Sequence, residues 1–205
     1  MINTNLTKNI KIEGYADLLN PALKGKIAAA DPAASSSAFE HLVNMLYAMG
    51  NGNPEKGWDY VKKLCANLDG KLLSGSSAVY KGVADGEYAV GLTYEEGGIN
   101  YVVSGSPVKV IYMKEGVISK PEGVYIIKGA KNLENAKKFI DYCVSLDAQN
   151  ILINKVNRRA IRKDASSSEV VIPMTEIYSI KDDPDFVESN RQKWLDKFRD
   201  IYTGI

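Results

Sequence analysis

Apolar side chains recur every third or fourth position from about Ser37 to Met49. Phe39, Leu42, Val43, Leu46 and Met49 fall on one stripe, which predicts a helix with one buried face. Gly50, Gly52 and Pro54 end it. A second helix is predicted from about Pro54 to Ala66, with Trp58, Val61, Leu64 and Cys65 apolar. The small apolar run GKIAAAD, Gly25 to Asp31, precedes the first helix and predicts a strand. The order then repeats: KLLSGSSAVYKGVADGE reads as a short strand, a serine turn and a helix ending near Gly86. EYAVGLTY and VKVIYM (Val108 to Met113) predict further strands, with a short helix within residues 95 to 105.

The pattern changes after Gly116. GVYIIK predicts one strand, and Asn132 to Ser145 an amphipathic helix carrying Ala136, Phe139, Ile140 and Cys143. Asp147 is the expected cap of a helix reaching about Asn154, and KDASSSEVVIPM reads as a polar loop before an extended segment. The last helix is expected from about Pro184 to Ile201 with Phe186, Val187, Trp194, Leu195 and Phe198. Alternation of strands and helices predicts α/β architecture with mainly parallel pairing. The punctuation at Glu115-Gly116 and Pro121-Glu122-Gly123 sets a boundary between residues 1–115 and 116–205. One strand cannot make a sheet, so the latter part must borrow strands from elsewhere.

The turns carry the candidate chemistry. Ser35, Ser36 and Ser37 open the first helix, and Ser76 and Ser77 open the helix of the second serine turn. One of Ser36 or Ser37 suffices as an N-cap, so the other hydroxyls are extra donors beside helix amides that lack intrahelical partners. Two such ends placed after strands suit phosphate, phosphonate or carboxylate oxygens. Asp31 either orients the first serine loop through backbone amides or caps a turn. His41 is the only histidine and has no metal-binding companion at helical spacing, so its reading is structural. Tyr80 and Tyr88 read first as packing residues, and Lys81 and Lys109 as solvated charges.

Composition narrows the function classes. Lysine and arginine number 26 against 25 aspartates and glutamates, a net charge of +1. Such a chain lacks the basic field of a nucleic-acid binder, so no nucleic-acid partner is expected. There is no P-loop, no GxSxG elbow and no histidine–carboxylate relay, hence no enzyme, cofactor or catalytic residue is expected. Cys65 and Cys143 read as free thiols, with a disulfide left open for an oxidising compartment. No metal site is expected. The opening MINTNLTKNIKIEGYADLL lacks an apolar leader core, so no signal peptide is expected within this chain.

Four blocks in order carry a family resemblance. They are GYADLLNPALKGKIAAADPAASSSA, LLSGSSAVYKGVADGEYAVGLTYEE, PVKVIYMKEGVISKPEGVYIIKGAKNLENAKKFIDYCVSLDAQ and ESNRQKWLDKF. Through them the chain resembles the periplasmic substrate-binding components of ABC importers, in the branch of iron, organophosphate and phosphonate binders. The resemblance implies a type II periplasmic-binding-protein-like α/β fold, in which two lobes are joined by crossover strands and hold solute in the cleft. It implies one nearly complete lobe, residues 1–115, plus the C-terminal returning segment of the other, residues 116–205, with the opening of that first lobe absent.

By the same resemblance Ser35, Ser36, Ser37, Ser76, Ser77, Thr93, Tyr94 and Glu95 are the expected ligand contacts. The implied partners are a small anionic solute and ABC transporter permease subunits, and the implied location is periplasmic or extracytoplasmic. A second copy or the missing N-terminal half is expected to cover the unpaired strand edges. Two alternatives stand beside this reading: a self-associating fragment that has lost its ligand, and a ferric-iron binder. Iron-binding members carry adjacent tyrosines where this chain has Tyr94-Glu95.

Overall fold

The computed structural model describes all 205 residues, in two compact units. The first comprises Met1–Ser119 together with Met174–Ile205, and the second Lys120–Pro173. This division differs from the boundary expected at residue 115, because the C-terminal helix packs into the first unit's core.

A four-stranded sheet organises the first unit. Its strands are β1 (Ile2–Asn3), β2 (Ile27–Ala28), β3 (Val90–Gly91) and β4 (Val108–Lys109), in the order β2-β3-β1-β4. β2 and β3 pair in parallel, whereas β1 runs antiparallel to both β3 and β4. The mainly parallel sheet of the sequence reading is thus a mixed one, and β1 is the reversed strand. Nothing in MINTN announced it, since two residues show no period. Long-range bonds hold it there. The Met1 nitrogen donates to Gly91 O at 3.0 Å, and buried Asn3 donates through Nδ2 to Val83 O at 2.8 Å.

Helices α1 (Ser36–Met49) and α2 (Trp58–Leu68) bury the apolar stripes read from the sequence, including Phe39, Leu42, Leu46, Val61 and Leu64. A short 3-10 turn, Pro54–Gly57, joins them and occupies the first residues of the expected second helix. α3 (Ser76–Ala84) and α4 (Glu95–Val103) follow the serine turn and β3. A second, two-stranded sheet pairs β5 (Val117–Ile118) in parallel with β6 (Ser179–Ile180). The last helix, Pro184–Thr203, numbered α7 in chain order, sets Val187, Trp194 and Phe198 into the core shared with α1 and α2. Arg191 stacks over Phe39 at 4.0 Å and Lys197 over Trp58 at 4.5 Å, so polar residues of α7 also bind to this surface.

The second unit contains α5 (Leu133–Cys143) and α6 (Leu146–Val156) and no strand. The expected strand GVYIIK is irregular chain, with Tyr125 86 % and Ile127 81 % exposed. Its alternation is suited to a sheet, but the unit offers it no partner edge. The expected extended segment after Ser168 likewise forms no strand. α5 is amphipathic yet buries none of its residues, leaving Phe139 60 % exposed. Ser145, not Asp147, caps α6, accepting from Ala148 N at 3.2 Å; Asp147 lies in the first turn. Buried Gln149 holds this unit's loop by donating to Cys143 O and accepting from Ile161 N.

Candidate functional site

Strand direction decides where the candidate residues lie. β2 occupies an interior position: Ala28 O accepts from Leu92 N on one edge, and Ala29 O accepts from Leu73 N on the other. Asp31 N then donates to Leu73 O at 3.0 Å, completing a parallel bridge between Ala30 and Leu73. Three neighbouring segments therefore run the same way, and a helix begins a few residues beyond the carboxyl end of each. Neighbouring strands are about 4.8 Å apart, so the starts of α1, α3 and α4 line one rim of the sheet.

Each start is chemically different. At α1, Asp31 shapes the loop: its carboxylate accepts from Ala33 N at 2.8 Å, and its carbonyl accepts from the Ala34 and Ser35 amides. Ser35 is the N-cap, accepting from Ala38 N at 3.4 Å, which corrects the assignment of that role to Ser36 or Ser37. Ser35 and Ser37 hydroxyls also bond to each other at 3.1 Å. The exposed Ser36 is left with its hydroxyl directed to no protein partner. Of the triplet, one caps, one braces the cap and one remains available.

α3 begins at Gly75 in extended conformation with no side-chain cap, so its first amides keep their donor capacity. Ser77 accepts from Tyr80 Oη at 3.2 Å. Tyr80 in turn meets Tyr94 edge-on at 6.0 Å and Tyr101 at 5.7 Å, which links the starts of α3 and α4 through an aromatic cluster. Gly97 makes room for that cluster, because a Cβ there would stand 2.6 Å from Tyr80 Cδ1. Gly97 is thus what lets α4 approach α3, while its neighbour Gly98 faces Val110, whose Cγ2 would lie 2.7 Å from a Cβ there.

α4 also starts without a side-chain cap, at Tyr94. Glu95 and Glu96 occupy its first turn, where their charge complements the helix dipole and opposes an incoming anion. Tyr112 Oη donates to Glu95 Oε2 at 3.0 Å. Sequence reasoning missed Tyr112, whose only signal was its place near the end of an apolar run. Thr93 is half-buried and bonds the Tyr94 carbonyl at 3.4 Å. Thus Ser77, Tyr80, Tyr94 and the Glu95–Tyr112 pair form one connected polar–aromatic group, while the Ser35–Ser37 triplet joins it through the strand ladder and not by direct contact.

His41 faces the interior. With Ala29, Met45, Cys65 and Phe198 it lines a cavity of about 20 Å³, and its Nε2 has no hydrogen-bond partner. Burial lowers its pKa to about 4. Burial also pushes the free Cys65 thiol up to about 12, so it is a packing residue and no nucleophile. No cluster of three or more His, Cys, Asp or Glu side chains is placed to hold a metal ion.

This geometry has close counterparts. The periplasmic binding protein AfuA from Actinobacillus pleuropneumoniae, solved with exogenous fructose-6-phosphate bound, superposes with a TM-score of 0.83 at 28 % identity. The match covers 98 % of this chain and 65 % of that one. An uncharacterized protein of Haemophilus influenzae is 29 % identical over 137 residues, which are 67 % of this chain and 38 % of the relative. The spermidine/putrescine-binding periplasmic protein of Escherichia coli is 25 % identical over 150 residues, 71 % of this chain and 42 % of the relative. The chain therefore spans about two fifths of these two relatives.

The fold is the periplasmic-binding-protein type of α/β architecture, and its partial coverage of AfuA fits a single lobe. The family profile described as bacterial extracellular solute-binding protein matches residues 1–186, from β1 into the start of α7. By that match, which takes in all three helix starts on the rim, the chain belongs to the bacterial extracellular solute-binding proteins.

Proposed function

We propose that this chain captures a small anionic solute, a phosphorylated sugar or phosphonate, for an ABC importer outside the cytoplasm, without covalent chemistry. The observation that carries the reading is the shared rim of α1, α3 and α4, where uncapped amides accompany the available hydroxyls of Ser36 and Ser76. Ser35, Ser36, Ser37, Ser76 and Ser77 hold the anionic oxygens. Thr93, Tyr94 and Glu95 meet the remainder of the solute, where Glu95 accepts from sugar hydroxyls or an amine. The sugar phosphate bound by AfuA supports this choice. In this reading the second lobe's ligand contacts lie within residues 1–115, and the returning segment of the first lobe lies within 116–205. Permease subunits of the importer are the protein partners.

A cationic amine is the second reading. It is favoured by Glu95 and Glu96 beside the Tyr80–Tyr94 rings and by the polyamine named for the Escherichia coli relative. Ferric iron fits less well, because Tyr94 is followed by glutamate and meets Tyr80 through ring edges.

Amide chemical-shift mapping with millimolar fructose 6-phosphate, inorganic phosphate and spermidine separates these readings. The phosphates are expected to shift residues 35–38 and 75–78, and spermidine to leave them unmoved. The Ser36→Ala, Ser76→Ala pair should weaken fructose 6-phosphate binding about tenfold per hydroxyl, the loss expected for a hydrogen bond to a charged group. Shifts confined to 94–96 with spermidine alone would replace the anionic reading with the amine.

A further inference from the structure

The outer edge of β5 is satisfied by a side chain. Val117 N donates to Tyr178 O across the pair with β6, so the backbone groups flanking Val117 point the other way. There the Asn44 carboxamide meets them: its Nδ2 donates to Gly116 O at 3.0 Å, and its Oδ1 accepts from Ile118 N at 2.8 Å. Asn44 thus imitates a third strand. It is a buried polar residue on α1.

One further contact ties α1 to the same region. Tyr47 Oη accepts from Asp183 N at 3.3 Å, just after β6. Gly116 has φ of +116°, and a Cβ there would stand 2.5 Å from Ile180 Cγ2, so the two strands close without room for a side chain. β5 and β6 are also the segments by which the chain leaves the first unit after Ser119 and returns to it at Met174. At the opposite end of α1, about two turns from Asn44, stand Ser35, Ser36 and Ser37.

We propose that Asn44 is a positioning residue that makes α1 and the β5–β6 pair one mechanical body, so that an anion held at the serine end of α1 stiffens both connecting strands. The strut rests on its own geometry; only its use by a solute rests on the function proposed above. A rigid helix transmits a displacement along its axis, and two hydrogen bonds in fixed orientation at its far side transfer it to the strand backbone. Without Asn44, Gly116 O and Ile118 N lose their partners, and β5 is held by β6 alone.

Hydrogen–deuterium exchange on the full chain tests this, with Asn44→Ala, the isosteric Asn44→Asp, and Phe39→Leu as a control on the same helix. Both Asn44 variants should speed exchange at residues 116–119 and 178–181 by about tenfold or more while α2 and β3 keep wild-type rates, the signature of local opening. Phe39→Leu should raise exchange evenly. An even rise in the Asn44 variants, or an unchanged 178–181, would show a purely stabilising residue and overturn the proposal. Millimolar inorganic phosphate provides the second arm. In wild type it should slow exchange at 35–38 and also at 117–119, and in Asn44→Ala only at 35–38. Protection confined to 35–38 in wild type overturns the coupling and leaves the anion reading standing. No protection at 35–38 overturns the anion reading, and the variant comparison then decides the strut by itself.

Discussion

Replacing Trp194 by alanine is expected to lower the stability of the first unit by about 3–5 kcal/mol, the cost of removing a fully buried aromatic side chain and leaving a cavity. Trp194 is 0 % exposed and meets Phe186 edge-on at 6.0 Å within α7. The indole adds packing, not hydrogen bonding, because its Nε1 has no partner. Trp194→Phe, which removes that orphaned donor and keeps most of the volume, should therefore cost less than about 1.5 kcal/mol. Urea unfolding followed by far-UV circular dichroism gives both values. A loss below about 1 kcal/mol for the alanine variant would mean that α7 does not complete this core.

Acidification from pH 7 to pH 4 should produce the second large effect, through His41. Its folded-state pKa, about 4, lies below the ordinary 6.5 because burial opposes the charged ring. Below pH 6.5 the unfolded chain binds a proton that the folded chain refuses, so stability falls as pH falls. The loss levels off near pH 4, where the folded ring also protonates. It amounts to about 3 kcal/mol over that window. The buried Met1 amino group, lowered to about 5 from 8.0, contributes a slope between those values. The decisive quantity is consequently the difference between wild type and His41→Leu, which lacks only the imidazole. Asp17 acts at lower pH. Its carboxylate accepts from the Glu13 and Gly14 amides at 2.8 and 3.0 Å, and those bonds hold its pKa below the ordinary carboxylate value. Its contribution is lost as pH falls further. Parallel curves for wild type and His41→Leu between pH 6.5 and 4 would show that the histidine is solvated in the folded state.

Helices α1, α2 and α7 were legible because each carries enough turns for its apolar stripe to repeat. Phe39, Leu42, Val43 and Leu46 are buried where the spacing placed them. The same spacing misled at α5, where Phe139 remains exposed. Periodicity shows which face could be buried and says nothing about whether a surface is there to receive it. GVYIIK failed for the related reason that β structure is completed only by a partner edge. Among the site residues, the serine turns were visible as composition. The division of labour among Ser35, Ser36 and Ser37 was not, since it depends on backbone angles at the start of α1.

The sequence by itself determined the local chemistry: where the hydroxyls, glycines and apolar stripes stand, and the absence of a catalytic or nucleotide motif. Those are properties of residues within a few turns of one another. Tertiary structure alone decided that β1 enters between β3 and β4, that Tyr112 reaches Glu95, and that Asn44 serves as an edge for β5. Each of these joins residues separated by at least 17 positions. Pairings over such distances are selected by packing of the whole unit, because many alternative partners have the same hydrogen-bonding groups and only one is brought within reach.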